Sequence, residues 1–149
     1  MPIRIVQILA LLFTALSLVP AGAHFFEFPS KINLSAQDYL TVQAIYRGWA
    51  LFGIAIFGAL ALDGAAAAML RGQGAAFQWD LAAGALLVLS LAIFFIWTFP
   101  VNQTTENWTK LPANWQDLRR QWEYSHVANA VVTFASLICV TVSVVLTKR

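Results

Sequence analysis

The chain holds only two histidines, and each has an acid three residues away: Glu27 follows His24, and Glu123 precedes His126. On a helix that spacing puts both members of a pair on one face. A carboxylate beside an imidazole supports the charged ring, so such a pair can take a proton from an acidic carbon or a phenol near neutral pH. His24, Glu27, Glu123 and His126 together would also suit a single first-row transition metal: iron, manganese, zinc or copper. Glu-x-x-His is half of the pattern that four-helix di-iron proteins use. The further bridging carboxylates are missing here, so a mononuclear site is the better fit. The alternative is a plain hydrogen-bonded helical pair with no metal or cofactor.

Around the second pair lies Asn102–Asn129, the only long polar stretch between apolar runs, with three of the six tryptophans: Trp108, Trp115 and Trp122. At a membrane boundary these rings read more readily as an aromatic belt than as a ligand cage, with Trp122 the one nearest the histidine. Arg119 and Arg120 can anchor at the interface, pair with Asp117 or Glu123, or hold an anionic group. Asn102, just beyond Pro100, can cap the loop or hydrogen-bond a bound oxygen. Tyr39, Gln43, Tyr46 and Arg47 repeat at helical spacing, either as a polar stripe leading into the bilayer or as an ordinary solvated face before the span.

The elements that must position these residues are apolar. The 149-residue composition is 60% hydrophobic and 11% charged, with mean hydropathy +0.70, whereas soluble domains carry about 25% charged residues. The expected fold is all-α: one domain, an integral membrane four-helix bundle with a helical, aromatic-rich extramembrane cap. The spans fall at about 3–23, 48–70, 81–99 and 127–146, each long enough for a core of about 30 Å. Pro29 should stop the first helix near Phe28, and Ser35 with Asp38 should cap a second near Ala36. Asp63-Gly64 is a candidate end for the second span. The third should end at Trp97 and Pro100, and Trp115, Leu118 and Trp122 predict an amphipathic helix lying at the interface.

Four antiparallel spans bring the end of the first and the start of the fourth to one membrane face, where the two His/Glu pairs meet if those helices are neighbours. Both termini then share a side. Arg4, Lys148 and Arg149 flank the outer spans and point to a cytoplasmic one. The first run also imitates a secretory signal, with Ala21-Gly22-Ala23 as a cleavage site that would leave His24 first. A net charge of +2 and no basic stripe exclude nucleic acid as the expected partner. Membrane lipids and a lipophilic small molecule remain, with a second copy or a membrane-complex subunit as further options. The lone Cys139 reads as a packing residue.

Pro100 and Asn102 at the exit of the third span, then Trp115, Leu118-Arg119-Arg120, Trp122 and His126 opening the fourth, resemble the anthrone-oxygenase-like family of small membrane proteins, most of them bacterial. The resemblance is sharpest over residues 100–126 and implies a bacterial inner-membrane protein. It puts Asn102, Arg120, Trp122 and His126 at the matched positions and implies oxygenation of an anthrone-type molecule. The sequence departs from the pattern at Glu123-Tyr124-Ser125, just before the histidine, and again shortly after it, where many relatives carry Arg. The expected function is therefore a membrane-embedded oxidoreductase or oxygenase acting on a lipophilic aromatic or quinone-like molecule. His126 would be base or ligand, Glu123 its partner, and His24 and Glu27 the opposing pair. Arg120 and Asn102 would contact substrate oxygen, and Tyr39 and Trp122 would help hold a cofactor. The alternative is a non-catalytic protein that holds haem, a metal or another cofactor between His24 and His126.

Overall fold

The structure, a computed structural model, describes residues 3–148; Arg149, one of the basic residues expected to flank the last span, lies outside them. The described helices are α1 (Ile3–Lys31), α2 (Ala36–Gln43), α3 (Gly53–Met69), α4 (Ala75–Ile93), α5 (Phe99–Thr104) and α6 (Trp115–Leu146). A turn of π-helix, Phe94–Thr98, joins α4 to α5, so Ala75–Thr104 is one continuous span. Four helices are long and apolar enough to cross a membrane, which fits an integral membrane protein. α6 packs along α4 and α1, α1 along α3, and α3 along α4, closing an up-and-down ring.

Small and hydroxylated residues let these helices approach, as bilayer packing requires where apolar burial gives no net drive. Ala10, Ala83, Cys139 and Val140 form one buried layer. Ser136 donates to the Ala83 carbonyl at 2.9 Å, and Thr98 and Ser125 share a hydrogen bond at 2.7 Å. Leu12, Leu16, Val19, Ile54, Val88, Phe134 and Val145 stay on the outer face, where lipid would cover them.

Four helix ends differ from the sequence reading. α1 runs through Pro29 to Lys31, because Ile32 N–H still reaches the Phe28 carbonyl at 3.0 Å and the Lys31 side chain is tied into the bundle. Asp63 does not end the second span. It is buried within α3, and the helix continues to Met69. The third span passes Pro100, whose missing N–H a π turn can absorb. Separately, Gln121 Nε2 donates to the Trp97 carbonyl at 2.9 Å and ties this stretch to α6. The expected interfacial helix is the first part of α6, a single 32-residue helix about 48 Å long that stands beyond the bilayer core. The Ser35 cap forms as expected, accepting from Asp38 N–H at 3.2 Å. Past α2 the helix breaks at Gly48, whose φ of 85° few residues other than glycine adopt.

Candidate functional site

α1 and α6 pack against each other, so the last turns of α1 and the first half of α6 meet at one rim. There the His24 and His126 rings lie 4.0 Å apart between centroids, tilted by 34°. Trp122 packs edge-on against both, 4.1 Å from His126 and 4.9 Å from His24. Tyr46, at 4.5 Å from His24, and Trp49, at 5.5 Å, complete an aromatic box delivered by the broken segment between α2 and α3.

Lys31, two turns beyond His24 on α1, organises the other half of the rim. Its side chain is almost fully enclosed. Lys31 Nζ donates to the Tyr46 hydroxyl at 2.7 Å, lies 3.2 Å from Glu123 Oε1 and 3.7 Å from Glu27 Oε2, and sits over the Tyr46 and Trp122 rings. Glu123, fully buried, also accepts from the Tyr39 hydroxyl at 2.9 Å, and Glu27 accepts from the Tyr46 hydroxyl. Burial first, and then the Glu123 carboxylate, push the Tyr39 phenol far above its ordinary range. Burial and then the hydrogen bond to Glu27 do the same to Tyr46. Both phenols therefore stay protonated donors that fix the carboxylates.

Beside the stacked imidazoles opens a cavity of about 710 Å³, walled by apolar side chains of α1, α3 and the α4 π turn. Its size is that of a small-molecule pocket. Five residues of its lining carry a buried polar atom with no hydrogen-bond partner: His24 Nδ1, Gln43 Nε2, Trp108 Nε1, His126 Nε2 and Asn129 Oδ1. Buried polar atoms are normally paired, so this concentration marks a place built to receive hydrogen-bonding groups. Trp108 reaches the cavity from a left-handed turn in which Glu106, Asn107 and Trp108 have φ of 49°, 55° and 60°. Left-handed backbone costs about 1–2 kcal/mol per residue away from glycine. Here Asn107 N–H to the Asn102 carbonyl (2.7 Å) and Trp108 N–H to Thr105 Oγ1 (3.1 Å) hold it. Asn102 in turn accepts from Trp122 Nε1 at 2.8 Å, which aligns the ring that backs both histidines.

No family model, curated protein or solved structure matches this chain.

Of the residues singled out from sequence, His24, His126, Trp122 and Asn102 line the cavity. Glu27, Glu123 and Tyr39 sit behind it in the Lys31 network. Glu123 does not partner His126, because the Lys31 ammonium and Tyr39 claim it. Glu27 comes only to 4.0 Å from His24 Nδ1, too far for a hydrogen bond. Arg120 points outward, exposed, with Asp117 at 3.4 Å, so it does not reach a substrate in the cavity. Arg119 turns in instead, donating to the Leu34 carbonyl at 2.7 Å under the Trp115 ring. Nor is the tryptophan set a belt: Trp108 and Trp122 are buried.

The metal set expected from His24, Glu27, Glu123 and His126 is not assembled. Among the described residues no three His, Cys, Asp or Glu side chains are placed to share an ion. The reason is chemical: a built-in ammonium lies between the two carboxylates, where a metal would be repelled. A haem between the histidines fails too. Axial ligation needs each imidazole end-on, pointing a nitrogen at the iron from opposite sides, whereas these rings lie nearly face to face, 4.0 Å apart and tilted by 34°. Sequence reasoning missed Lys31 and Asn129, and it read Trp108 as a belt residue and Gln43 only as part of a polar stripe. Lys31 had a legible signal, since it follows Glu27 at i+4 and falls on the His24 face of α1.

Proposed function

We propose that this chain is a membrane-embedded, metal-independent oxygenase acting on a flat, lipophilic molecule with ring oxygens, of the anthrone or hydroquinone class. The carrying observation is the paired imidazoles at the edge of a mostly apolar cavity whose unpartnered polar atoms sit beside them. An apolar ring system would fill the walls, and its oxygens would pair with Trp108 Nε1 and Gln43 Nε2. His126 Nε2, in its neutral form, would accept a proton from the acidic ring CH₂ of an anthrone, the member of that class on which this step can run, while the electron pair stays on carbon. Dioxygen then oxidises that carbanion, and CH₂ plus O₂ becomes C=O plus water. His24, stacked on His126, would pass the proton on. Phe57 and Phe95 line the cavity and are exposed at the level of the bilayer, giving a lipid-soluble molecule an apolar entrance. With both termini in the cytoplasm of a bacterium, this rim would lie at the outer face of the inner membrane.

The test is oxygen uptake and carbonyl formation by the purified chain in lipid nanodiscs, with an anthrone as substrate. His126→Ala should lower turnover by about 10²–10⁴-fold. Undiminished turnover in that variant overturns the proposal. A second reading, a binding protein without turnover, is favoured by the fact that neither carboxylate hydrogen-bonds an imidazole. It would show as saturable binding of the same molecule with no oxygen consumed.

A further inference from the structure

At the other end of the bundle, roughly 26 Å along α1 from His24 by helical rise, three more buried polar side chains are left incompletely paired. Asp63 on α3 is 2% exposed, and Asp80 on α4 and Gln7 on α1 are fully enclosed. Asp63 packs towards Gly84, one turn along α4 from Asp80, with its Cβ 3.8 Å from where a Cβ on that glycine would sit. Four oxygens here have no hydrogen-bond partner: both of Asp63, Oδ2 of Asp80 and Oε1 of Gln7. The amide orientation of Gln7 is fixed. Its Nε2 donates to Thr147 Oγ1 at 2.7 Å, and that hydroxyl already gives its own proton to the Ser143 carbonyl. Gln7 therefore presents an oxygen. Its nitrogen also lies 3.4 Å from Ser143 Oγ, the hydroxyl 3.3 Å from Asp80 Oδ1, which ties the amide to the carboxylate group. Ser143 has one proton for two acceptors, and the nearer is the Ala76 carbonyl at 3.0 Å.

Two ionised carboxylates inside the bundle would be costly unless a cation or protons neutralised them. Among the described residues no Lys, Arg or His forms an ion pair with either. The unpartnered atoms are all oxygens, carboxylate and amide, with no nitrogen or thiolate among them. Oxygen ligands of that kind select hard cations.

We propose that Asp63, Asp80 and Gln7 bind one hard metal cation, sodium or calcium, which ties α1, α3 and α4 together at this end of the bundle. Calcium would balance both carboxylates and use Asp63 through both oxygens. Sodium would need fewer ligands and leave one negative charge. The Ser143 and Thr147 hydroxyls of α6 border the site without contributing charge.

The experiment is thermal unfolding of the purified chain in detergent at constant ionic strength, replacing choline chloride by sodium chloride in one series and adding calcium chloride in another. The occupying cation should raise Tm by on the order of 5 °C at a hundredfold excess over its Kd, and further with the logarithm of its concentration. The series that responds identifies it. Asp63→Asn should abolish the response while keeping the fluorescence of the distant tryptophan box. If that variant does not fold, Gln7→Leu keeps both carboxylates and should shift the response to higher cation concentration. A wild-type Tm indifferent to both cations overturns the proposal, as does a variant that responds like wild type. An infrared carboxylic-acid band lost in Asp63→Asn, with no cation response, would identify protons as the occupants and overturn it equally.

Discussion

Replacing Lys31 by methionine should be among the most damaging single changes in the chain. The substitution keeps most of the side chain's length and its packing against Tyr46 and Trp122 but removes the charge. It leaves Glu123, fully buried, with the Tyr39 hydroxyl at 2.9 Å as its single hydrogen-bond donor. Removing one partner of a buried ion pair costs about 3–5 kcal/mol. At about 2–4 °C per kcal/mol for a chain of this length, Tm should fall by about 6–20 °C. Most of that loss comes from the carboxylate left behind, so the double variant Lys31→Met with Glu123→Gln should recover much of it. The introduced amide would keep an acceptor for Tyr39 and carry no charge. The four proteins of this cycle can be compared by thermal unfolding in one detergent. If Lys31→Met melts within about 2 °C of wild type, or the double variant is no more stable than that single one, the built-in ammonium is not what holds the rim.

Two further outcomes follow from contacts elsewhere. Gly58→Ala would drive a methyl group into the Phe13 ring at the contact of α1 with α3. That overpacking should cost about 1–3 kcal/mol on thermal unfolding, and a neutral result would mean that the Phe13 ring moves aside freely. Tyr39 and Tyr46 are both held protonated, so ultraviolet titration of the folded protein at about pH 11, above the ordinary tyrosine range, should miss at least two of the three phenols. With folded values raised above unfolded ones, these phenols contribute stability that is complete below about pH 10 and falls as the pH climbs further. Unfolding should release the missing tyrosinate signal, and its full presence before unfolding would contradict the hydrogen-bonded network.

The bundle was legible because bilayer thickness dictates the length of an apolar run and little else in the chain is apolar enough. Antiparallel topology puts His24 and His126 at one membrane face; that they meet depends on the first and last spans being neighbours, which only the packing of α1 against α6 decides. The helix ends were less legible. Pro29 and Pro100 are local stop signals, but the Lys31 anchor carries α1 through the first, and the π turn at Phe94–Thr98 accommodates the second. The partner of each carboxylate could not be read from i, i+3 spacing. Glu123 is decided by Lys31 and Tyr39, contacts made between separate helices. Trp108 enters the cavity only because three consecutive left-handed residues turn it inward, a conformation that Glu106-Asn107-Trp108 does not advertise.

The central claim is that the stacked imidazoles take a proton from a lipophilic molecule seated in the cavity. Mixing the purified chain with an anthrone under strict anaerobiosis, near neutral pH, isolates that step from oxidation. The coloured anion should appear on binding to wild type, saturate at one per chain, and be absent with His126→Ala even where the neutral molecule still quenches tryptophan fluorescence. An equal anion signal in both proteins, or none in either despite saturable binding, would contradict the claim.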